Sequence, residues 1–310
     1  MTVGKDVSML FTHVLKCVET EDLELKKLVY LYIINYSKAQ PDLALMAINT
    51  FRKDSTERVN PLVRSLAVRT MGCVGIEEML EYLLGPLGDA MNDEDAYVRK
   101  TAAMCVCKVY EINPERVESL GLLDRLKDML FDGNGMVVSN AIAAVSEISN
   151  SKGPFVPMTP ELMSQLLTAL PECSEWGRVY ILDFMAETMK VAEVEESFVT
   201  RIIPNLAHSN PALVLSAAKV VLKFLDGINE TSDRGRSICR KLAPPLISLM
   251  NNAPEIQYVA ARNINLILMK HPNIFEREVR VFFCNFQDPL YVKLAKLELM
   301  VRLADISNVD

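Results

Sequence analysis

One short pattern recurs eight times along the chain and decides its fold class. It reads Asn60-Pro-Leu-Val-Arg-Ser-Leu-Ala67 in one copy and Asp95-Ala-Tyr-Val-Arg-Lys-Thr-Ala102 in the next. We take the fourth residue of each copy as its anchor. The anchors are Leu25, Val63, Val98, Val137, Gly177, Leu213, Ile256 and Tyr291. Successive anchors are roughly 38 residues apart, a period typical of stacked helical hairpins.

Each copy has the chemistry of a helix start. Asp, Asn or Ser opens seven of the eight copies, and the side-chain oxygens of these residues cap the free amides of a first helical turn. Pro61, Pro211 and Pro289 follow such a residue directly, at a position where a missing N–H costs nothing. In the seventh copy Ala253 takes the cap position before Pro254, which predicts a weaker cap.

Each repeat is therefore predicted to contain two helices, A and B, with the B helix beginning at the cap. The A helices are expected at residues 8–19, 42–53, 76–91, 114–130, 160–171, 195–207, 235–251 and 273–284. The residue four places after the anchor is small in six copies, so neighbouring helices can lie close, whereas Val29 and Ile181 predict looser packing. The stretch Asp132-Gly-Asn-Gly135 is predicted to be a tight turn whose glycines take positive φ.

Two arginines suggest contacts between repeats. Arg64 and Arg99 directly follow their anchors, four residues after Asn60 and Asp95. This spacing predicts that each arginine reaches the cap of its own or a neighbouring repeat, which would form a ladder of polar contacts. The alternative is an ordinary surface arginine, which contributes little to stability.

Composition supports a helical repeat array. Half of the residues are apolar but only 7% are aromatic, and glycine is scarce at 12 residues, a balance that favours helix over strand. Because each repeat of a solenoid packs only on its neighbours, the length of the chain does not force a split into separate domains. Residues 1–310 are therefore predicted to form a single continuous all-α, right-handed α-solenoid of HEAT- or armadillo-like repeats. Around Leu297–Leu303 this solenoid is expected to present an adhesive apolar face.

The sequence offers no constellation typical of catalysis or metal binding. The three histidines, His13, His208 and His271, lie in different repeats, and no Cys/His set has the spacing of a zinc site. Acidic neighbours such as Glu77 and Glu78 are better explained by a solvated helix surface than by an acid–base pair. The chain is therefore expected to be no enzyme and to use no cofactor.

Charge and cysteine usage limit the classes of partner and compartment. The net charge is −7, from 40 acidic and 33 basic residues, which argues against nucleic acid as a partner. One basic cluster, formed by Arg234, Arg236, Arg240 and Lys241, is interpreted as a solvated helix start. No apolar run approaches the length that spans a bilayer. The seven cysteines form no Cys-x-x-Cys motif and are interpreted as reduced packing residues of a cytosolic protein.

Two further apolar features have competing interpretations. Trp176, the only tryptophan, is interpreted as core between repeats. In the helix expected after Gln40, one stripe at helical spacing is assigned to the core and comprises Leu43, Met46, Ala47 and Thr50. Leu45 and Ile48 fall on a different face, with Arg52 one turn further on. That second face is a candidate partner-binding surface, unless packing between repeats uses both sides of the helix.

Several blocks of sequence carry a family resemblance. They include Leu23–Tyr32, Leu66–Cys73, Asp93–Ala103, Gln257–Ile267 and Asp288–Leu294. In these blocks the chain resembles the trunk of a beta-adaptin, the large beta subunit of clathrin adaptor complexes, and the resemblance extends over essentially the whole chain. It implies a non-catalytic scaffold in vesicle-mediated intracellular protein transport. It also implies assembly with a second large, a medium and a small subunit, and peripheral association with coated vesicles of the Golgi, endosome or plasma membrane from the cytoplasm.

The resemblance further implies an Arf GTPase as a partner. In Golgi-type members the beta trunk binds Arf in its GTP-bound form, and the two apolar positions associated with that contact fall on Leu45 and Ile48. No Leu-rich acidic clathrin box occurs in these residues, and they include neither hinge nor ear, so clathrin is expected to contact only regions missing from this chain. The alternative function is another HEAT-repeat scaffold, such as a nuclear transport receptor or a phosphatase scaffold.

Overall fold

The computed structural model describes residues 4–189, 196–228, 233–271, 274–275 and 279–304, and all regular structure in them is helical. The α-helices are α1 Phe11–Leu15, α2 Leu23–Tyr36, α3 Pro41–Leu45, α4 Ile48–Ser55, α5 Pro61–Val74, α6 Glu77–Ala90, α7 Ala96–Ile112, α8 Pro114–Ser119, α9 Leu122–Asp128, α10 Gly135–Lys152, α11 Pro160–Ala169, α12 Glu175–Thr188, α13 Glu196–Ile202, α14 Pro211–Leu225, α15 Asp233–Leu249, α16 Pro254–Lys270 and α17 Leu290–Leu303. Short 3-10 helices cover Ser8–Leu10, Met129–Phe131, Leu170–Glu172, Ile203–Ala207 and Val279–Phe282. The all-α prediction is confirmed.

All eight predicted B helices are present, and each begins within two residues of its expected cap. They are α2, α5, α7, α10, α12, α14, α16 and α17. In six of them a side-chain oxygen accepts a hydrogen bond from a first-turn amide, and the capping residues are Asp22, Asn60, Asp95, Asn134, Ser174 and Asn210. Each bond satisfies a donor that has no partner within the helix, which explains why the chain turns helical at these points.

The last two B helices start differently. Ala253 makes no side-chain cap bond, as its chemistry predicts. Asp288 was expected to cap α17, and this is wrong. Its Oδ2 accepts from the Lys296 ammonium at 2.7 Å and from the Asn285 amide at 2.9 Å. The carboxylate is therefore occupied by a buried ion pair and is not directed at the first turn.

The A helices are less regular than predicted. The expected helix 42–53 is broken into α3 and α4, and the expected helix 114–130 is broken into α8 and α9. The expected ranges 160–171 and 195–207 each end in a 3-10 segment. Of the expected range 273–284, the structure describes one 3-10 helix at Val279–Phe282, and residues 273 and 276–278 lie outside the described part of the chain.

The contact between successive B helices depends on small residues. The position four places after the anchor is buried in every repeat, at Val29, Ala67, Ala102, Ala141, Ile181, Ala217, Ala260 and Ala295. The closest approach occurs at Gly72 on α5, where a Cβ atom would lie only 2.2 Å from the Sγ atom of Cys105 on α7. Since side chains cannot overlap at that distance, α5 and α7 could not pack as they do with a larger residue at this site.

The glycines before α10 have a different role from the predicted one. Among the described residues, positive φ is confined to Gly4, Gly75, Gly121 and Gly153, so the prediction of positive φ at Gly133 and Gly135 is wrong. A Cβ atom on Gly135, the first residue of α10, would lie 3.1 Å from the Cys173 sulfur and 3.2 Å from the Ala169 carbonyl oxygen. Close approach of the backbone, and not turn geometry, is what this glycine permits.

The chain divides into two compact units, Met1–Ile181 and Leu182–Asp310. In the first unit, α2 packs on α5, α5 on α7 and α7 on α10. In the second unit, α14 packs on α15, α15 on α16 and α16 on α17. Within each unit, neighbours in sequence are thus neighbours in space, as a repeat array requires. One continuous right-handed solenoid over residues 1–310 stays a prediction. None of the described helices combines the length and the apolar character needed to cross a bilayer.

Candidate partner-binding surface

The predicted contact residues lie at a helix junction in the second repeat. Leu45 is the last residue of α3 and is half-buried, whereas Ile48 is the first residue of α4 and is only 7% exposed. Met46, which lies between them, is 67% exposed. The assignment of Ala47 to the core is confirmed, and the assignment of Met46 to the core is wrong.

The break between α3 and α4 explains why Met46 is exposed and Ile48 is buried. The amides of Met46 and Ala47 donate to carbonyls three residues back, Leu43 at 3.2 Å and Ala44 at 3.1 Å. A turn with this bonding advances each residue by about 120°, compared with about 100° in an α-helix. The apolar stripe of α3 therefore does not continue in phase into α4. Ile48 joins Phe51 in the core, and Met46 points outward.

A buried polar cluster fixes α4 against α2. The ammonium of Lys26 and the hydroxyl of Tyr30 both donate to Oδ2 of Asp54, and the Lys26–Asp54 distance is 2.5 Å. Burial, the hydrogen bond to Asp54 and the charge of Asp54 together raise the pKa of Tyr30. The Tyr30 ring also meets the edge of Phe51 with centroids 4.8 Å apart. The surface around Met46 is thus carried by a firmly held helix.

The outer side of this junction is apolar at its centre and basic at its edge. Leu45 and Met46 supply the apolar centre, and Arg52 and Lys53 on α4 are exposed. Neither cation makes an ion pair with the described residues. Sequence periodicity identified Leu45 but missed Met46, because the tightened turn that exposes Met46 leaves no signal in the apolar pattern.

The arginine ladder between repeats is confirmed, with a different partner from the predicted cap. The guanidinium of Arg64 donates to both carboxylate oxygens of Asp93 at 2.8 Å. Arg99 repeats the arrangement with Asp132 at 2.7 and 3.0 Å. Each aspartate lies two residues before a cap and also accepts the amide of the capping residue, Asp95 or Asn134. One carboxylate therefore joins the preceding repeat to the start of its own B helix.

The cations of the ladder also hold the loops before the B helices. Arg64 donates to the carbonyl of Glu57, and Arg99 donates to the carbonyls of Asp93 and Glu94. Arg178, at the same position in the fifth repeat, lacks a carboxylate and donates to two backbone carbonyls of the preceding loop instead. The role common to these arginines is structural, because their donors are consumed within the chain.

Three other interpretations have mixed outcomes. Trp176 is 64% exposed and Tyr180 beside it is half exposed, so the assignment of Trp176 to the core is wrong. In the basic cluster, the exposed residues are Arg236, Arg240 and Lys241, as interpreted, whereas the side chain of Arg234 lies outside the described part. The packing role is wrong for the exposed Cys17 and Cys284, whereas Cys105, Cys107 and Cys173 are buried.

Clusters of side chains that could bind a metal ion are absent from the described part of the chain. No group of three or more His, Cys, Asp or Glu side chains there is arranged to hold a metal ion. The one described histidine–carboxylate pair, His271 and Asp226 at 3.2 Å, is shared with Lys270. This arrangement is a salt-bridge cluster and does not resemble an acid–base pair facing a substrate.

Comparison with known proteins gives consistent results. The family model described as the adaptin N terminal region matches residues 1–310. The chain is 52% identical over 312 residues to the AP-1 complex subunit beta-1 of Mus musculus, covering 100% of this chain and 33% of that protein. It is 39% identical over 313 residues to the AP-2 complex subunit beta of Schizosaccharomyces pombe, covering 100% of this chain and 46% of that protein. The chain thus spans between a third and a half of the length of these relatives.

Two known structures share the fold of this chain. One is a homology model of the full-length AP-3 complex in an intermediate open conformation, with a TM-score of 0.70 at 18% identity, covering 99% of this chain and 53% of that chain. The other is an engineered protein, with a TM-score of 0.53 at 16% identity, covering 94% of this chain and 77% of that chain. At 18% and 16% sequence identity, these two matches support the fold and not a shared function. The family model spans all 310 residues, and on that basis the chain belongs to the adaptin family, in whose N-terminal region it lies.

Proposed function

We propose that this chain is trunk sequence of the beta subunit of a clathrin-type adaptor complex and acts as a scaffold in vesicle-mediated protein transport. The observation that carries the proposal is the match of the adaptin family model over all 310 residues. The fold supports it, because stacked helical pairs expose long surfaces for partners. Adaptins are non-catalytic adaptor subunits, and the chain makes and breaks no bond of a substrate.

The proposed partners are a second large subunit, a medium subunit and a small subunit of the same complex. The relatives at 52% and 39% identity bear the names of AP-1 and AP-2 beta subunits, which supports assembly of this kind. Through the complex, the chain would associate peripherally with coated vesicles of the Golgi, endosome or plasma membrane. Clathrin would be bound only by regions outside this chain.

Purification from the source cell tests this assembly. The tagged chain is recovered under mild conditions, and co-purifying proteins are identified and quantified by mass spectrometry. We expect one second large, one medium and one small adaptor subunit in near-equal amounts. Recovery of nuclear transport cargo, or of a phosphatase catalytic subunit in place of adaptor subunits, would overturn the proposal in favour of another HEAT-repeat scaffold.

The proposed Arf contact is the surface around Leu45 and Ile48. Its support is the resemblance of these two positions to the contact positions of Golgi-type beta-adaptins, together with an accessible apolar centre at Leu45 and Met46. Ile48 is buried beside Phe51, so it would act mainly by holding α4 in place beneath the surface. Met46 is the most exposed apolar side chain of the junction and is added to the proposed contact.

Single substitutions distinguish residues that would touch Arf from a residue that only holds α4 in place. Leu45→Asp and Met46→Asp place a charge at the apolar centre, and we expect at least about a tenfold loss of affinity for GTP-loaded Arf, with helicity unchanged. Leu120→Asp makes the same change at a half-exposed leucine that directly follows α8 and serves as the matched control. At Ile48 the substitution is Ile48→Ala and not Ile48→Asp, because this side chain is buried and a buried, unpaired charge would unfold the helix.

Binding is measured by surface plasmon resonance with Arf loaded with GTP or GDP, and helicity by circular dichroism. Equal binding of the two nucleotide forms would reject the partner. Unchanged affinity in both Leu45→Asp and Met46→Asp would reject the site and leave the assembly proposal standing.

A further inference from the structure

A cavity of about 230 Å³ lies in the first unit, between α5, α7 and α10. Its walls are formed mainly by Arg69, Cys73, Lys100, Met104, Lys108 and Asn140, and we call it the cationic cavity. No carboxylate lines it. The cavity is smaller than the pockets of about 300–1,000 Å³ that hold whole small-molecule ligands.

The positive charge of the cationic cavity is not neutralised by the described part of the chain. Arg69 and Lys100 make no ion pair there, and the ammonium of Lys100 rests 4.1 Å from the centre of the Tyr97 ring. Lys108 donates to the Cys73 sulfur at 3.0 Å. That hydrogen bond raises the pKa of Lys108, whereas burial and the charge of Arg69 act in the opposite direction. Three cations thus lie close together in a chain whose net charge is −7.

The corresponding cavity of the second unit is built differently. It lies among α12, α14 and α16 and has a volume of about 470 Å³. There Lys219 pairs with Asp183 at 2.8 Å, and Lys270 pairs with Asp226 at 3.1 Å. The second unit therefore supplies carboxylates for two of the lysines of its cavity. In the described part of the first unit, no carboxylate pairs with Arg69, Lys100 or Lys108, although Glu111 and Glu147 lie on the same helices as the cavity lining. Like charges placed near one another disfavour the charged forms, so an anion bound among them would be stabilised.

The remaining walls suit a peptide. Met104 offers a flexible apolar surface that adapts to the methylene groups of a bound side chain. The Asn140 amide donates to the carbonyl of Met136 at 2.7 Å, which leaves its carbonyl oxygen available to accept a backbone N–H. Both features serve a ligand that has a main chain and short side chains.

We propose that the cationic cavity binds an acidic peptide segment of a partner protein, with one carboxylate side chain inserted between Arg69, Lys100 and Lys108. An ionised oxygen that accepts hydrogen bonds from lysine and arginine makes the strong, charge-assisted kind of contact. The bound carboxylate would relieve the repulsion among the three cations and supply the counter-charge that Asp183 and Asp226 give to the second unit.

Two other polyanions fit the observations less well. Membrane recognition by basic residues uses clusters of four to eight Lys and Arg, whereas this cavity has three such residues, one on α5 and two on α7. Nucleic acid is disfavoured by the acidic charge of the chain as a whole. Vesicles and oligonucleotides are therefore kept as opposing arms of the test.

The first experiment measures binding by fluorescence anisotropy with the full 310-residue chain. The probe is a labelled peptide with four consecutive glutamates flanked by glycine and serine, compared with the same peptide carrying glutamines. We expect the glutamate peptide to bind at least about tenfold more tightly and to weaken as salt screens the charges. The triple variant Arg69→Gln, Lys100→Gln, Lys108→Gln should lose that difference. The matched control Lys219→Gln, Lys223→Gln in the second unit should bind within about twofold of the parent.

The second experiment uses Cys73 as a reporter of occupancy. Its half-buried thiol lines the cavity, whereas Cys17 is exposed elsewhere. The chain is labelled with N-ethylmaleimide, with and without saturating glutamate peptide, and each cysteine is followed by peptide mass spectrometry. We expect the peptide to slow labelling of Cys73 several-fold and to leave labelling of Cys17 unchanged.

Several results would overturn the proposal. Equal binding of the glutamate and glutamine peptides would do so, as would unchanged binding in the triple variant when circular dichroism shows it folded. Labelling of Cys73 at the same rate with and without peptide would place any binding elsewhere. Preferential binding of phosphatidylserine vesicles or of an oligonucleotide through these three residues would assign the cavity to a different class of partner.

Discussion

Arg99 shows at the scale of one residue how the repeats are joined. Its guanidinium holds the Asp132 carboxylate and two loop carbonyls, and both side chains of the ion pair are largely buried. We predict that Arg99→Ala lowers the free energy of unfolding by about 1.5–3 kcal/mol, because a charged hydrogen-bond acceptor loses its donors. Urea denaturation followed by circular dichroism measures the change.

Arg116→Ala is the control for this prediction. Arg116 also pairs with a carboxylate of a neighbouring helix, Glu81 at 3.0 Å, but both side chains are well exposed at 45% and 61%. Exposed pairs contribute about 0–1 kcal/mol, so the expected loss is small. Equal losses for the two variants would mean that the ladder has no special role.

Asp93 gives the ladder a pH dependence. Burial opposes ionisation of this carboxyl group, but the hydrogen bonds from Arg64 and from the Asp95 amide, with the charges of Arg64 and Arg99, hold the pKa of Asp93 below its usual value. The stabilisation from a lowered pKa is complete above the unfolded value of about 3.9 and is lost as pH falls toward the folded value.

We predict that the parent loses more stability between pH 5 and pH 3 than the variant Asp93→Asn does. The measurement is the free energy of unfolding in urea at both pH values. At pH 7 the variant should be the less stable protein, and the gap should narrow in acid. A gap that stays constant with pH would show that Asp93 does not titrate as the structure requires.

The helix starts belong to the scale of the element. Asn210 accepts the Ala212 amide at 3.0 Å and caps α14, whereas Ala253 leaves α16 without a side-chain cap. We predict a loss of about 1 kcal/mol for Asn210→Ala and a gain of about 0.5–1 kcal/mol for Ala253→Asn. The extended backbone at Ala253, with ψ 152°, matches that of a capping residue. Thermal unfolding midpoints test both changes, and a loss of stability in Ala253→Asn would contradict the capping account.

The B helices were predictable from sequence because their starts carry local chemistry. A capping side chain marks the start of such a helix, because its oxygen accepts a hydrogen bond from the backbone amide two residues later. Examples are Asn60, Asp95 and Asn134. The arginine ladder was predictable in kind, but not in its partner, since Asp93 and Asp132 reach Arg64 and Arg99 only through the stacking of repeats. Spacing in one repeat does not specify which residue of the next repeat is adjacent.

The candidate site was predictable only in part. Periodicity separated Leu45 from the stripe of Met46 and Ala47 and assigned that stripe to the core, which is right for Ala47 and wrong for Met46. Two hydrogen bonds to carbonyls three residues back then shift the phase between α3 and α4, which buries Ile48 and exposes Met46. The large apolar side chain of Trp176 was also assigned to the core, yet it is exposed. The burial of a residue on α12 depends on which elements pack against that face, and the type of the residue does not reveal this.

At the scale of the whole molecule, exposed apolar surface governs self-association. On α17 the side chains of Leu290, Leu294, Leu297 and Val301 are exposed and follow helical spacing along one face. We predict that the isolated chain associates as its concentration rises, because this stripe is apolar and continuous. The variant Leu294→Lys, Leu297→Glu should shift the mass measured by multi-angle light scattering toward the monomer. A monomeric parent at high concentration would contradict the prediction.

A helical trunk can hold several binding sites at fixed distances from one another. Sites held at fixed separations on packed helices raise one another's effective concentration, so several weak contacts together recruit a coat to a membrane. We propose that the Leu45–Met46 surface and the cationic cavity would be two such contacts, kept in place by the arginine ladder and the helix caps.

The most direct test of the central claim is assembly of a chimera. This chain replaces the segment that it matches in the AP-1 complex subunit beta-1 of Mus musculus, and the chimera is co-expressed with the remaining three subunits of that complex. Native mass spectrometry of the purified product should show one copy of each of the four subunits. A folded chimera that leaves the other three subunits unassembled would contradict the claim that this chain is an adaptor trunk.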